Sequence, residues 1–232
     1  DPMQEDPMQR TTEGPGLFQR ALSFPATCVH GFTGRNGGVS QGVYASLNMA
    51  WKWGDNREAV DENWRRVAAS AGFPASQLRI ARQVHGSTAT LVAALADPEV
   101  SVDADAIVAL PGDPWIIGVI TADCVPVLLC DPGSGVVAAV HAGWRGMVAG
   151  VIGVALEHMQ RAGADLETTQ AAIGPCIEQA AFEVGEEVAS RFDAALVDRS
   201  KPKPHVDLVA AARAQLRAGG LRAQSIERVG AC

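Results

Sequence analysis

Cationic charge is scarce in this sequence. Nineteen Lys and Arg stand against 26 Asp and Glu, a formal net charge of −7, and the isoelectric point is near 5.2. A surface of that sign repels nucleic-acid backbones and anionic lipid, which sets both aside as partners. Long apolar runs are missing too. No stretch of about 18 apolar residues escapes a charge or a Gly/Pro break, so a membrane-spanning helix is not expected. The N-terminus is acidic and rich in Pro and Gln, without the basic and apolar regions of a signal peptide. Cysteines number five, odd and scattered, which is no disulfide framework. A cytoplasmic protein with reduced thiols is the expectation. Histidine is equally sparse, at five.

What is present is an ordinary globular composition. The chain of 232 residues is 47% apolar with a mean hydropathy of +0.07, enough to bury a sizeable core. Residues 1–16 (DPMQEDPMQRTTEGPG) repeat DPMQ and offer little to bury, so they read as a disordered tail outside the fold. No linker or long-period repeat divides the remainder, and residues 17–232 read as a single domain. Apolar and β-branched runs predict strands at 78–84, 104–109, 115–121, 125–130, 136–140 and 170–173. Periodicity and stop signals predict helices at 56–72, 147–162, 182–192 and 207–218. Strands and helices intermix, which makes this an α/β or α+β chain.

Chemistry gathers at the strand ends. The segments end in QVHG with His85, ADC with Asp123 and Cys124, HAGWRG with His141 and Arg145, and GPC with Cys176. Rigid strand ends are a common platform for reactive groups. Two imidazoles and a thiolate, His85, Cys124 and His141, suit a zinc ion that keeps its fourth position open, although their long, irregular spacing is no short-range metal signature. Buried packing of the cysteine with hydrogen-bonded core histidines is the bland reading. A Cys/His nucleophile and base, with Asp123 or another carboxylate orienting the imidazole, is a third. In HAGWRG, a glycine-rich turn before a helix leaves N–H groups for an anion, and Arg145 adds a bidentate donor. Equally, Gly143 and Gly146 can serve close packing alone. Cys130 reads as core and His205 as surface, and Cys28 has no reactive context. Asp103 and Asp105 read as a carboxylate pair or as solvated strand-end groups.

Four segments together carry a resemblance: Gln83-Val84-His85-Gly86, Thr121-Ala122-Asp123-Cys124-Val125-Pro126, Val140-His141-Ala142-Gly143-Trp144-Arg145-Gly146 and Ile173-Gly174-Pro175-Cys176. Further segments are His30-Gly31-Phe32-Thr33, Gly37-Gly38-Val39-Ser40, Ser46-Leu47-Asn48 and Asp61-Glu62-Asn63. In this order they resemble the laccase-domain family, also called the YfiH-like, multicopper polyphenol oxidase or peptidoglycan editing factor family. The resemblance implies a four-layer α/β/β/α fold with mixed sheets. It also implies a zinc held by His85, Cys124 and His141. Beside it, Arg35, Asn48, Gly143 and Arg145 are the candidate substrate or phosphate residues, and Asp123, next to a ligand, is the first candidate acid or base. Implied activities are phosphorolysis of adenosine, inosine and methylthioadenosine, with adenosine deamination at the same site. Implied partners are therefore a small nucleoside and phosphate, and a homodimer is compatible with them. Family members continue past a cysteine like Cys232 into an aromatic, Arg-rich segment; this chain stops there, so truncation of the domain is expected.

Chemistry orders the activities attributed to such proteins. One copper centre of the blue type already takes two His and a Cys, so five histidines cannot furnish several, and copper and phenol oxidation rank below zinc. An open zinc lowers the pKa of bound water to about 7, which suits deamination. Phosphorolysis needs an anion pocket, which Arg145 and Arg35 could line. A Cys/His amidase or hydrolase acting on peptidoglycan precursors is the alternative of a different class, and a purely structural zinc module is the non-catalytic one.

Overall fold

The structure, a computed structural model, describes residues 12–13 and 17–230. The expected tail lies outside the described residues except for Thr12–Glu13, which pair antiparallel with Phe18–Arg20. Cys232 also lies outside them.

A six-stranded mixed sheet forms the centre. Its strands are β1 (Ala89–Leu91), β2 (Ala106–Ala109), β3 (Val125–Cys130), β4 (Val137–Ala142), β5 (Gln170–Ile173) and β6 (Ile226–Arg228), in the order β6-β5-β3-β4-β2-β1. The inner pairings are antiparallel, and each edge closes with a parallel pair. Five helices accompany it: α1 (Arg57–Ala71), α2 (Trp144–Val148), α3 (Val151–Arg161), α4 (Glu186–Ala189) and α5 (Leu208–Ala218).

The strands are apolar on both faces because both faces are covered. Val125, Val127 and Leu129 of β3, with Ala138, Val140 and Ala142 of β4, meet Ile152, Leu156 and Met159 of α3 and Leu216 of α5. Each large side chain buried there contributes about 1.5–3 kcal/mol. On the other face Cys130 and Ala172 meet Phe24 and Phe32, while Ile107 and Ala109 meet Val92 and Leu95. Short sheets lie over this second face: Phe18–Arg20 with Phe32–Thr33, and Leu78–Arg79 with Ile116–Ile117. Helix α1 packs outermost, against the turn that leads into Leu78–Arg79. The layers therefore run α/β/β/α, as the resemblance implies. Asn56 caps α1 by accepting the Ala59 N–H, and Gly72 ends it at φ +80°.

Several expected elements are shorter. The run 115–121 is a strand only at Ile116–Ile117, because the Gln83 side chain takes the place of a neighbouring strand. Its amide donates to Ile120 O and accepts from Ile120 N, both at 2.7 Å. The run 78–84 is a strand only at Leu78–Arg79, and Arg82 instead bridges Asp103, with Arg82 N donating to Val102 O and Ala104 N to Arg82 O. The single helix expected over 147–162 divides into α2 and α3 at Gly150, which adopts φ +80°. Of 182–192 only α4 is helical, since Phe182 O and Val184 N bond the segment 204–206 instead.

Candidate metal centre

Strand pairing builds the site on the sheet face opposite α3 and α5. Asp105 precedes β2 and lies opposite His141 of β4, whose N–H donates to Asp105 O at 2.7 Å. Cys124 precedes β3, opposite Gly143 beyond the end of β4. Side chains alternate along strands, so Cys124, His141 and Asp105 share one face. His85 comes from the turn 84–86. His85 Nδ1 or Nε2, Cys124 Sγ and His141 Nδ1 or Nε2 supply donor atoms within 4.8 Å of one another, with His85 exposed, Cys124 half-buried and His141 buried. The two rings meet edge to face at 4.8 Å between centroids. Gly143 completes the enclosure: a Cβ there would stand 3.0 Å from Cys124 Sγ and 3.1 Å from His85 Cδ2.

Asp105 organises this cluster, and sequence reasoning left it unassigned. It is fully buried. Its Oδ1 accepts from His85 N at 2.9 Å and stands 2.8 Å from His141 Nδ1; its Oδ2 accepts from Gly86 N at 2.7 Å and Val84 N at 3.3 Å. Strand-end solvation is thereby corrected for Asp105, and Asp103 instead pairs with Arg82 at the surface. The available signal was parity, for Asp105 continues the buried face of Ile107 and Ala109, where a carboxylate must find partners. His85 holds φ +60°, a left-handed conformation costing a non-glycine residue on the order of 1–3 kcal/mol. The three N–H bonds to Asp105 offset that cost.

The electrostatics keep His141 neutral and leave the Cys124 thiol unactivated without an added cation. Burial pushes the His141 imidazole below its usual range, against the pull of Asp105, which keeps a lone pair for a metal. Burial, then the charges of Asp123 and Asp105, push the Cys124 thiol up. An activated cysteine requires the opposite shift.

Other expected residues fall in different surroundings. Asp123 is exposed beside Cys124, and its carbonyl accepts from Ile177 N at 3.0 Å. Arg145 is exposed with its guanidinium 4.2 Å from the Trp144 ring centroid. Arg35 donates twice to Ala45 O, and Asn48 donates to Asp55 and Ala50 O while Asn63 donates to its carbonyl. Those two residues thus belong to a network within the segment 35–63. Cys176 is buried in the helix-side core and is not drawn into the cluster. His205 is buried, not surface. Cys28, expected to have no reactive context, lies beside Cys130 and His30. The Cys130 thiol, and His30 after the opposing effect of burial, hold it down at about 5. A hollow of about 280 Å³ lined by Trp51, Trp64, Leu78 and Arg79 contains none of the three ligand residues.

Residues 29–232 match the profile of the family described as multi-copper polyphenol oxidoreductase laccase. This chain belongs to that family. A purine nucleoside phosphorylase of Deinococcus radiodurans is 43% identical to this laccase-family chain over 197 residues, covering 83% of the chain and 75% of the relative. Adenosine deaminase RL5, from an unknown prokaryotic organism, is 35% identical over 215 residues, covering 85% and 81%. The crystal structure of YlmD from Geobacillus stearothermophilus superposes with a TM-score of 0.86 at 29% identity, covering 96% of this chain and 88% of that one. The family's name speaks of several coppers. Among the described residues one His/Cys/His cluster is found, and His30, His158 and His205 each bond backbone carbonyls elsewhere.

Proposed function

We propose that this chain is a zinc-dependent purine nucleoside phosphorylase acting on adenosine, inosine and S-methyl-5'-thioadenosine, with adenosine deamination at the same site. The observation that carries the reading is the open His85–Cys124–His141 triangle. Tetrahedral ligands at about 2.0–2.3 Å from zinc lie roughly 3.3–3.8 Å apart, so donors within 4.8 Å of one another close on one ion by small side-chain rotations. His85, Cys124 and His141 would hold it, and exposed His85 leaves one side for substrate. When bound, zinc supplies Lewis acidity and an acidified water. The names of the relatives, a purine nucleoside phosphorylase and an adenosine deaminase, support the substrate class.

The chain's own groups then take separate tasks. His141 sits where burial excludes bulk water, and Cys124 is half-buried beside it. Asp123, exposed next to Cys124, is placed to exchange a proton with solvent and with the purine. Arg145 projects two residues beyond Gly143, which touches the triangle, and its guanidinium offers a fork for phosphate. Arg35 and Asn48 serve substrate through the loop that they brace.

Metal analysis with an adenosine-plus-phosphate assay tests the reading. Purified protein should carry about one zinc and release adenine with ribose 1-phosphate. Cys124→Ala should lose both the zinc and more than a hundredfold of the rate, as expected when a ligand is removed. Full turnover in a zinc-free Cys124→Ala protein sinks the proposal. Fast iodoacetamide labelling of Cys124 in zinc-replete protein, without purine release, would move the assignment to a Cys/His amidase or hydrolase.

A further inference from the structure

We propose that Asp105 is the positioning residue that joins His85 and His141 into one binding unit, a single carboxylate setting both imidazoles for a ligand. The proposal rests on the metal reading of the triangle but not on the nucleoside chemistry.

Two jobs fall on one fully buried carboxylate. Both oxygens already accept backbone N–H groups, Oδ1 from His85 and Oδ2 from Gly86 and Val84. The bond with His141 therefore runs from Nδ1–H to Oδ1, which leaves Nε2 bare for an ion. The same oxygen that fixes the His141 tautomer also holds His85 in its left-handed turn at φ +60°. Gly146 adds a stop behind that turn, since a Cβ there would stand 2.6 Å from Gly86 O. The turn is thus pinned between α2 and Asp105.

An amide cannot replace this carboxylate, although it has the same shape. Asn has one acceptor oxygen where Asp has two. With that oxygen toward His141 and His85, its NH2 faces the Gly86 N–H and the turn opens. With the oxygen toward Gly86, the NH2 faces both the His85 N–H, whose bond is lost, and His141 Nδ1, which must then accept, so its proton moves to Nε2. Each orientation loses at least one ligand's geometry.

Asp105→Asn is the test, read in two ways. In metal-free protein carrying ¹⁵N-labelled histidine, long-range proton–nitrogen correlation should show His141 of the wild type as the Nδ1–H tautomer, with a slowly exchanging Gly86 amide. Asp105→Asn should lose one of these two features. In chelator competition its zinc affinity should fall about a hundredfold, the upper range for loss of an outer partner of a ligand. The visible spectrum of its cobalt form should lose the tetrahedral pattern. Retention of both the tautomer and the Gly86 protection, or zinc affinity within threefold of the wild type, overturns the proposal. Should Asp105→Asn fail to fold, an Nε2–H tautomer or a fast-exchanging Gly86 amide in the wild type overturns it alone. Should the wild type take up no zinc, the metal reading fails, while the tautomer and amide measurements still judge Asp105.

Discussion

At Gly143 one hydrogen atom separates an open cluster from a crowded one. A methyl placed there meets Cys124 Sγ at 3.0 Å and His85 Cδ2 at 3.1 Å, tighter than ordinary contact, and it meets both ligands at once. Gly143→Ala should therefore spread Cys124 from His85 and weaken zinc binding tenfold or more, with unfolding free energy within about 1.5 kcal/mol of the wild type because the neighbours are side chains that can yield. Chelator competition and urea titration on the same preparation check this, and unchanged affinity refutes it. The fork between an anion turn and close packing thus has its packing half visible at both glycines. At the residue scale the sequence was legible wherever a side chain carries its own chemistry: the motif match and strand-end placement pointed to His85, Cys124 and His141, whose donor atoms the fold brings within 4.8 Å of one another. Asp105 was not, because its partners at 84–86 and 141 become neighbours only through the pairing of β2 with β4.

Between β3 and β4 a single carboxylate does the work of a connector. Asp131 accepts from Gly133 N, Ser134 N and Ser134 Oγ within its own turn, and from Asp165 N and Thr168 Oγ on the approach to β5. Burial opposes its charge, yet the Ser134 and Thr168 hydroxyls and the Asp165 and Ser134 N–H groups prevail and hold it at about 2. A folded pKa below the unfolded value of 3.8 means that stability is present above the latter and is lost as pH falls through the former. The stability advantage of the wild type over Asp131→Asn should shrink by about 2 kcal/mol between pH 5 and pH 2, measured by urea unfolding at each pH. A constant difference would show that the carboxylate's charge is not what matters. Elements were legible where strand or helix is decided locally: 125–130 and 170–173 are strands as expected, and Asn56 and Gly72 bracket α1. They were not where a distant group intervenes, as Gln83 does for 115–121 and the segment 204–206 does for 182–192.

Over the whole molecule, the three candidate ligand residues come from the turn before β1, the residue before β3 and the end of β4, so an ion held by them would clamp the antiparallel centre to the parallel edge. The α/β/β/α layering was legible through the resemblance more than through periodicity, since strands buried on both faces alternate weakly. Zinc at a hundred times its Kd should add about 2.7 kcal/mol to stability, which for a chain of this size raises Tm by roughly 5–10 °C. Calorimetry with zinc and then with excess chelator checks this; a Tm indifferent to both would contradict a native ion site.

The strand order also sets a sequence of events. Hairpins of neighbouring strands close in about 1–10 μs, and β3 with β4 is such a hairpin, joined through the short Asp131 turn. Cys124 and His141 therefore meet early in folding, while the His85 turn must wait for the non-local β2–β4 pairing and the parallel β1–β2 pairing, which form slowly. For that interval the chain exposes a two-pronged thiol–imidazole claw without its third arm. An ion met during synthesis would find only this half-site until Asp105 arrives opposite His141, which would tie tight metal loading to completion of the sheet.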